Sequence, residues 1–332
     1  MKNESPLVSV LVTTYNRAHF IRHTIEAILV QTFEDFELLI VDDASTDVTE
    51  QVVQPYLEDP RVCYHRNERN LGQFANRNHA ARLAQGKYIK YVDSDDLIYP
   101  HCLETMVTYM ERYPDAGAAL SRQYSEHYVC PQLFSPKEIY RAEFTGRGIL
   151  QTAPGSWIAR RDAFQKVNGF REEYLTGDYE FLLRLSQLFP LLLIPHGLTW
   201  YRAHPSQDLA IIKLNDLNVV EAVEYIPAIM RAETCPLSEE DCESVIRHVT
   251  LRLWRTVVRR LTQGRVAHAT RMVEKAGLTW ASCLSALRRP SHHPLPSRDG
   301  TTPPIPHWDA YPNARPLSKK VVRALKECGM DC

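Results

Sequence analysis

The chain has 332 residues, 44% of them hydrophobic and 24% charged, a balance that supports a globular protein with a sizeable buried core. A formal net charge of -1 removes any overall electrostatic bias toward nucleic acid or an anionic surface. The eight cysteines contain no CxxC pair, which argues against a zinc ribbon or a thioredoxin-type redox pair and for reduced thiols. The opening MKNESPLVSVLVTTYN runs into strand-like sequence without a signal-peptide pattern, and no apolar run is long enough to span a bilayer. The expectation is a cytoplasmic protein.

Residues 8–13 (VSVLVT) are β-branched and almost continuously apolar, as in a strand buried on both faces of a parallel sheet. Asn16 reads as the N-cap of a helix with Phe20, Ile21, Thr24, Ile25, Ile28 and Leu29 on its apolar face. Residues 38–41 (LLIV) are a second buried strand ending at Asp42-Asp43. A helix capped by Ser45 or Thr46 is predicted over 46–57, with Asp47 and Glu50 as charges at its start. A short third strand is predicted over 61–65, a loop at Asn70-Leu71-Gly72, and a helix over 74–84. Residues 88–92 (YIKYV) are a fourth strand ending at Asp93. A helix over 103–112 and a fifth strand over 116–120 follow.

Strands and helices alternate about every twenty residues, the rhythm of βαβ units with right-handed crossovers and a mostly parallel sheet. Residues 123–148 are irregular. Order returns with a strand at 156–159, a short helix over 162–167 stopped by Gly169, an amphipathic helix over 178–188, and strands at 191–194 and 198–202. The chain divides into an α/β domain over 1–210, a helical region over 211–289 and a Pro-, Ser- and His-rich extended tail over 290–332. The helical region carries the apolar stripe Val245, Ile246, Val249, Leu253, Val257 and Leu261. Within it, residues 244–289 hold ten basic residues (Arg247, Arg252, Arg255, Arg259, Arg260, Arg265, Arg271, Lys275, Arg288, Arg289) against one acid, Glu274.

In sheets of this type ligands bind beyond the carboxyl ends of the strands, and here two strands end in acids: Asp42-Asp43 and Asp93-Ser94-Asp95-Asp96. Three carboxylates in four residues read either as a solvated turn or as ligands for a hard divalent cation. Mg2+ or Mn2+ would take one or two carboxylates and complete its shell with substrate phosphates. Alternation along an extended segment points Asp93 and Asp95 the same way, and a following turn would bring in Asp96.

With these segments in place, the sequence resembles the family 2 glycosyltransferases, an inverting group with the GT-A fold. The resemblance rests on VSVLVTTYNR at 8–17, LLIVDDASTD at 38–47, NLGQFANRNHAARLAQGKYIKYVDSDD at 70–96, GSWIARRDAFQKVNGF at 155–170, GDYEFLLRL at 177–185 and WYRAH at 200–204. It covers roughly residues 6–206, with six motifs in order.

The resemblance implies roles. Thr13, Thr14 and Tyr15 would line the nucleoside pocket, and Asp43 would accept a hydrogen bond from the base edge while Asp42 shapes the turn. Arg77 would approach the nucleotide, and Asn70 or Asn76 would hold the loop. Asp93 and Ser94 would face the ribose or sugar. Asp95 and Asp96 would lie at the metal, with the direct ligand left open between them, and His204 would reach the metal or the diphosphate. Asp178 would be the general base, at a helix start where an aspartate also serves as an ordinary cap. The family carries Glu-Asp here, and this chain has Gly177 before Asp178. Gly155 and Ser156 would allow close backbone approach on the acceptor side. Trp157 reads as a packing residue or a lining of the acceptor cleft.

The implied activity is transfer of a sugar from a nucleotide-sugar, a UDP-sugar first, to a saccharide or lipid-linked saccharide acceptor in surface polysaccharide or glycan assembly. A nucleotidyltransferase is the first rival, but TTYNRAHF lacks a glycine-rich basic phosphate loop. A catalytically silent nucleotide-sugar binding module is the second. Nucleic-acid binding has only the basic helices behind it. Those helices read first as a solvated face and second as a surface for peripheral contact with an anionic membrane.

Overall fold

The computed structural model describes residues 5–121, 130–145, 148–204, 212 and 215–278. In chain order its strands are β1 (Val8–Thr14), β2 (Phe36–Asp42), β3 (Val62–Arg66), β4 (Tyr88–Tyr91), β5 (Leu97–Ile98), β6 (Ala118–Ser121), β7 (Gln132–Phe134), β8 (Trp157–Arg160), β9 (Leu191–Ile194) and β10 (Thr199–Trp200). The helices are α1 (Ile21–Leu29), α2 (Thr49–Val53), α3 (Gln73–Leu83), α4 (Cys102–Arg112), α5 (Pro136–Thr145), α6 (Arg161–Lys166), α7 (Gly177–Leu188), α8 (Leu217–Met230), α9 (Glu239–Thr262) and α10 (Val266–Lys275).

Eight strands form one sheet in the order β3-β2-β1-β4-β8-β6-β9-β7, and β5 pairs with β10 apart from it. The first four are parallel, with Val8 of β1 opposite Phe36 and Tyr88. β8 runs antiparallel between β4 and β6, β9 is parallel to β6, and β7 closes the edge antiparallel. β1 is flanked on both edges and covered on both faces, which is why its sequence is apolar throughout. Val8, Val10 and Val12 pack with α1 and α4 residues such as Ile25 and Met106, and Leu11 faces the opposite core with Phe74 and Phe181. Each fully buried side chain of this size contributes roughly 1.5–3 kcal/mol.

Several sequence expectations need correction. Asn16 does not cap α1, whose N-cap is Phe20 with no side-chain cap bond. Asn16 has φ 53° and ties two loops together: its Oδ1 accepts from Thr46 N at 2.8 Å, and its own N–H donates to Ser45 Oγ at 2.9 Å. The helix over 46–57 is shorter, α2 followed by a 3-10 turn at Gln54–Glu58, because Pro55 lacks the N–H that would continue it. Neither Ser45 nor Thr46 caps it; Asp47 Oδ1 accepts from Thr49 N at 3.0 Å instead. The irregular segment contains β7 and α5, and β5 went unread because two residues carry no period.

The predicted apolar stripe of the basic region lies on α9, which opens at Ser238, whose side chain accepts from Asp241 N. This one helix serves two cores. Val245 and Val249 pack with the sheet-side cluster, and Leu253, Trp254 and Val257 pack with α8 and α10. The tail expected over 290–332, with Arg288 and Arg289, lies outside the described residues.

Candidate active site

The parallel strands end at one side of the sheet, and a cavity of about 950 Å3 opens there. Its inner half is lined by Thr13, Thr14 and Tyr15 at the end of β1, Asp43 after β2, and Asn70, Asn76 and Arg77 around the start of α3. Asp43 is buried and organises this half. Its Oδ1 accepts from Asn67 Nδ2 and Leu71 N, each at 2.8 Å, and its Oδ2 accepts from Gly72 N at 2.9 Å. Gly72 has φ 92°, a conformation glycine adopts without a Cβ penalty. Asn76 Nδ2 donates to Val41 O at 3.1 Å, so β2, its following turn and α3 form one hydrogen-bonded frame. Asp42 points away from the cavity, with Oδ1 accepting from Ser45 N at 2.8 Å and Oδ2 from Tyr64 OH at 2.6 Å.

Two polar atoms in this half are buried without a hydrogen-bond partner: Thr14 Oγ1 and Arg77 Nε. Buried polar atoms left unpaired are costly, so both mark places where a ligand's polar groups belong. Arg77 uses another nitrogen, Nη2, to pair with Asp93 Oδ1 at 2.5 Å.

The acidic turn after β4 divides its work. Asp93, Ser94 and Asp95 line the cavity. Asp95 Oδ2 is 2.9 Å from His204 Nε2 and 3.2 Å from Arg17 Nε. His204 stacks on Phe20 with ring centroids 4.9 Å apart, which fixes its plane. Asp96 is buried away from the cavity wall, and its Oδ1 accepts from Arg202 N at 2.9 Å. Burial pushes the Asp96 carboxyl up to about 7, against the Arg202 N–H bond, with the charges of Asp93 and Asp95 adding to the rise. The Thr24 hydroxyl of α1 lies 2.9 Å from Asp96 O and 3.1 Å from Ser94 O, which secures the turn from below. Beneath it, Lys90 is fully buried, donates to Tyr91 O at 3.1 Å and to Gly155 O, and is held below the ordinary lysine range by burial.

Among the described residues no three His, Cys, Asp or Glu side chains converge as a complete metal cage. The donor set still suits a hard cation: Asp95 and His204 meet at one point beside the cavity, and phosphate oxygens of a bound nucleotide would complete the shell.

α7 carries Asp178 into the middle of the cavity. Thr176 is the N-cap, and Tyr179 N donates to Asp178 Oδ1 at 2.9 Å. Burial raises the Asp178 carboxyl above its ordinary value; the Tyr179 N–H and the Arg77 charge oppose this, and Asp93 adds to it. The helix is anchored at both ends. Glu180 is fully buried and bonds Arg184 Nε and Nη2 at 2.6 and 2.7 Å, and Arg184 also donates to Gly169 O at 2.7 Å. Glu221 of α8 accepts from Thr176 N at 2.9 Å and Thr176 Oγ1 at 2.7 Å. A Cβ on Gly177 would stand 3.0 Å from both Arg171 O and a Phe74 ring carbon, so the room for a side chain there is taken by Phe74.

The outer half of the cavity is built by the C-terminal helices: Asn218, Val219, Ala222, Tyr225 and Ile226 of α8 and His248, Val249 and Arg252 of α9, facing Glu143 and Phe144 of α5. The sequence-predicted residues therefore fall into two groups. Thr13, Thr14, Tyr15, Asp43, Arg77, Asp93, Ser94, Asp95 and Asp178 line one cavity. Asp96 and His204 stand behind that wall. Gly155 and Ser156 form a 3-10 turn with Pro154, and a Cβ on Gly155 would come 4.0 Å from Asp96 Oδ2. Trp157 does not line an acceptor cleft: it is fully buried, 5.5 Å between centroids from Phe181 and 5.7 Å from Tyr91.

The sequence assigns no role to Arg17, Lys90, Glu221 or Tyr225, and Arg252 only a place on the basic face. Lys90 and Glu221 left a signal, each being a lone charge inside an apolar run, YIKYV and VVEAV.

A family model described as glycosyl transferase family 2 matches residues 9–167. An uncharacterized glycosyltransferase of Methanocaldococcus jannaschii is 40% identical over 213 residues, 62% of this chain and 73% of the relative. The putative colanic acid biosynthesis glycosyl transferase WcaA of Escherichia coli is 31% identical over 223 residues, 64% of this chain and 74% of the relative. Among solved structures, Staphylococcus aureus TarS 1–349 in complex with UDP superposes with a TM-score of 0.56 at 21% identity, covering 75% of this chain and 72% of that one. The mannosyltransferase PcManGT of Pyrobaculum calidifontis, in complex with GDP-Man and Mn2+, gives 0.56 at 19% identity, covering 86% and 80%. At these identities the structural likeness is one of fold.

Proposed function

This chain belongs to glycosyl transferase family 2, and we propose that it transfers a sugar from a UDP-sugar to an acceptor hydroxyl with inversion at the anomeric carbon. The observation that carries this reading is a single cavity holding both the unpartnered Thr14 Oγ1 and Arg77 Nε and, across from them, the raised carboxyl of Asp178.

The nucleoside sits against Thr13, Thr14 and Tyr15, with the base edge toward Asp43 and the sugar toward Asp93 and Ser94. Asp95 and His204, 2.9 Å apart, would hold Mg2+ or Mn2+, and Asp96, turned from the cavity, shapes the loop that presents Asp95. A bound cation supplies Lewis-acid neutralisation of the diphosphate charge. Arg17 and Arg77 place guanidinium groups on the same side, where they favour the negative charge growing on the leaving group. Asp178 accepts the acceptor hydroxyl proton as the new glycosidic bond forms and the anomeric carbon–oxygen bond to the diphosphate breaks with its electron pair.

A role in surface polysaccharide assembly rests on WcaA, whose name places that relative in colanic acid biosynthesis. The acceptor reading is a saccharide or lipid-linked saccharide. Among the described residues no helix is long and apolar enough to cross a membrane. The basic helices are proposed as a surface for peripheral contact with an anionic membrane. Flotation with anionic liposomes tests that contact; no binding at low salt removes it.

The function is tested by incubating the protein with Mn2+ or Mg2+ and a panel of UDP-, GDP- and dTDP-sugars, with and without EDTA. Metal-dependent release of nucleoside diphosphate from a UDP-sugar, lost in Asp95→Ala and Asp178→Asn, is the expected result. Turnover of a GDP-sugar alone would move the donor, and failure of every nucleotide sugar to bind with metal present would end the reading.

A further inference from the structure

We infer that the outer half of the cavity takes an acceptor saccharide bearing an anionic group, phosphate or carboxylate, near its accepting sugar, with Arg252 as the site for that charge. This rests on the transferase reading above and assigns the class of its second substrate.

The charge pattern of the cavity carries the inference. Three arginines line it. Arg17 is paired with Asp95 and Arg77 with Asp93, so the inner cations are already committed. The exposed guanidinium of Arg252 makes no ion pair or hydrogen bond among the described residues. Among the described residues the outer half offers it no uncommitted carboxylate. Glu143 is spent on Ile149 N at 2.6 Å, Leu150 N at 2.8 Å and Tyr179 OH at 2.8 Å, and Asp178 belongs to the reaction centre. One helical turn before Arg252, the exposed ring of His248 lines the same cavity. A face carrying an imidazole and an uncommitted guanidinium suits an oxyanion, which arginine meets in a two-pronged geometry.

The wall between Arg252 and Asp178 suits a sugar ring. Tyr225 is 2% exposed and lines the cavity, with its hydroxyl beside the Thr176 side chain. A phenolic hydroxyl at the wall both donates and accepts, which matches a sugar hydroxyl. Val219, Ala222, Ile226 and Val249 supply the apolar contact that a pyranose face needs. One cavity thus carries a donor half, Asp178 as base, Tyr225 for the accepting ring and Arg252 for the anion.

The test uses the full chain saturated with metal and UDP, or whichever nucleoside diphosphate it binds, so that the inner half is filled. Binding of methyl glucoside, methyl glucuronide and glucose 1-phosphate is then followed by saturation-transfer NMR. Binding of at least one anionic sugar, with the neutral glucoside at least tenfold weaker, is expected; one charge-assisted hydrogen bond is worth about that factor or more. Arg252→Ala should abolish the difference, Arg252→Lys should retain part of it, and Arg255→Ala, on the same helix outside the cavity, should leave it intact. Equal binding of neutral and anionic sugars, binding of neither anion, or an unaltered preference in Arg252→Ala would overturn the inference. Failure to bind any nucleoside diphosphate would instead strike the transferase reading, which separates the two.

Discussion

Two titratable residues do different work at this site. Asp178 is raised by burial, so the proton it must lack in order to act as base is held more tightly than in an ordinary carboxylate. Activity should therefore fall with decreasing pH sooner than the ordinary aspartate value of about 3.9 would give. A profile of kcat/KM against pH checks this, and an acid limb at or below the ordinary value would contradict it. Asp178→Asn should lower kcat by roughly 10²–10⁴-fold with nucleotide binding retained, as general-base loss does. Lys90 never touches the cavity; it joins Gly155 O and Tyr91 O beneath the acidic turn. Lys90→Met leaves these carbonyls without their donor and should cost roughly 2 kcal/mol, read from urea unfolding.

At the scale of elements, α8 is the strut behind α7. Glu221 is 1% exposed and accepts the backbone N–H and hydroxyl of Thr176, the residue that caps the helix bearing Asp178. Glu221→Ala should reduce kcat several-fold or more while donor KM stays unchanged, because the inner half of the cavity does not depend on α8; steady-state kinetics with varied donor separates the two. A second clamp fixes α8 to α9 and α10. Asp216, at φ 52°, bonds Arg260 at 2.7 and 2.8 Å and His268 at 3.1 Å. Burial alone would raise the Asp216 carboxyl, but Arg260 and His268 hold it below its ordinary value. Its contribution is present above the unfolded-state value of about 3.9 and is lost as pH falls through the lower folded value. Asp216→Asn keeps the tolerance for positive φ and removes the charge, and should cost roughly 2 kcal/mol at neutral pH. Thermal melts at neutral pH and again well below pH 4 should show that difference shrinking.

The whole molecule joins these parts through shared burial. Ala222, Tyr225, Ile226, Ile229, Met230, Val245 and Val249 belong to the same core as Phe181, Leu182 and Leu185 of α7. A chain ending at residue 210 would expose that face and lose the outer half of the cavity. It should melt without a cooperative transition, measured by near-ultraviolet circular dichroism; a sharp two-state transition would show that the sheet stands alone.

The sequence by itself determined the sheet strands β1 to β4, α1 and α3, because apolar period is a local property. It also brought out the acids of the strand ends and Asp178, because a charge directly after a buried strand or at a helix start stands out. Only the tertiary structure decided that Asp95 faces the cavity while Asp96 turns away, that Trp157 is core, and that Asn16 ties loops instead of capping a helix. Those outcomes depend on partners distant in sequence: Arg202 for Asp96, Phe181 for Trp157, Thr46 for Asn16. The outer half of the cavity is the extreme case. Tyr225, His248 and Arg252 sit at ordinary helical positions, and their common direction arises only when α8 and α9 pack against α7.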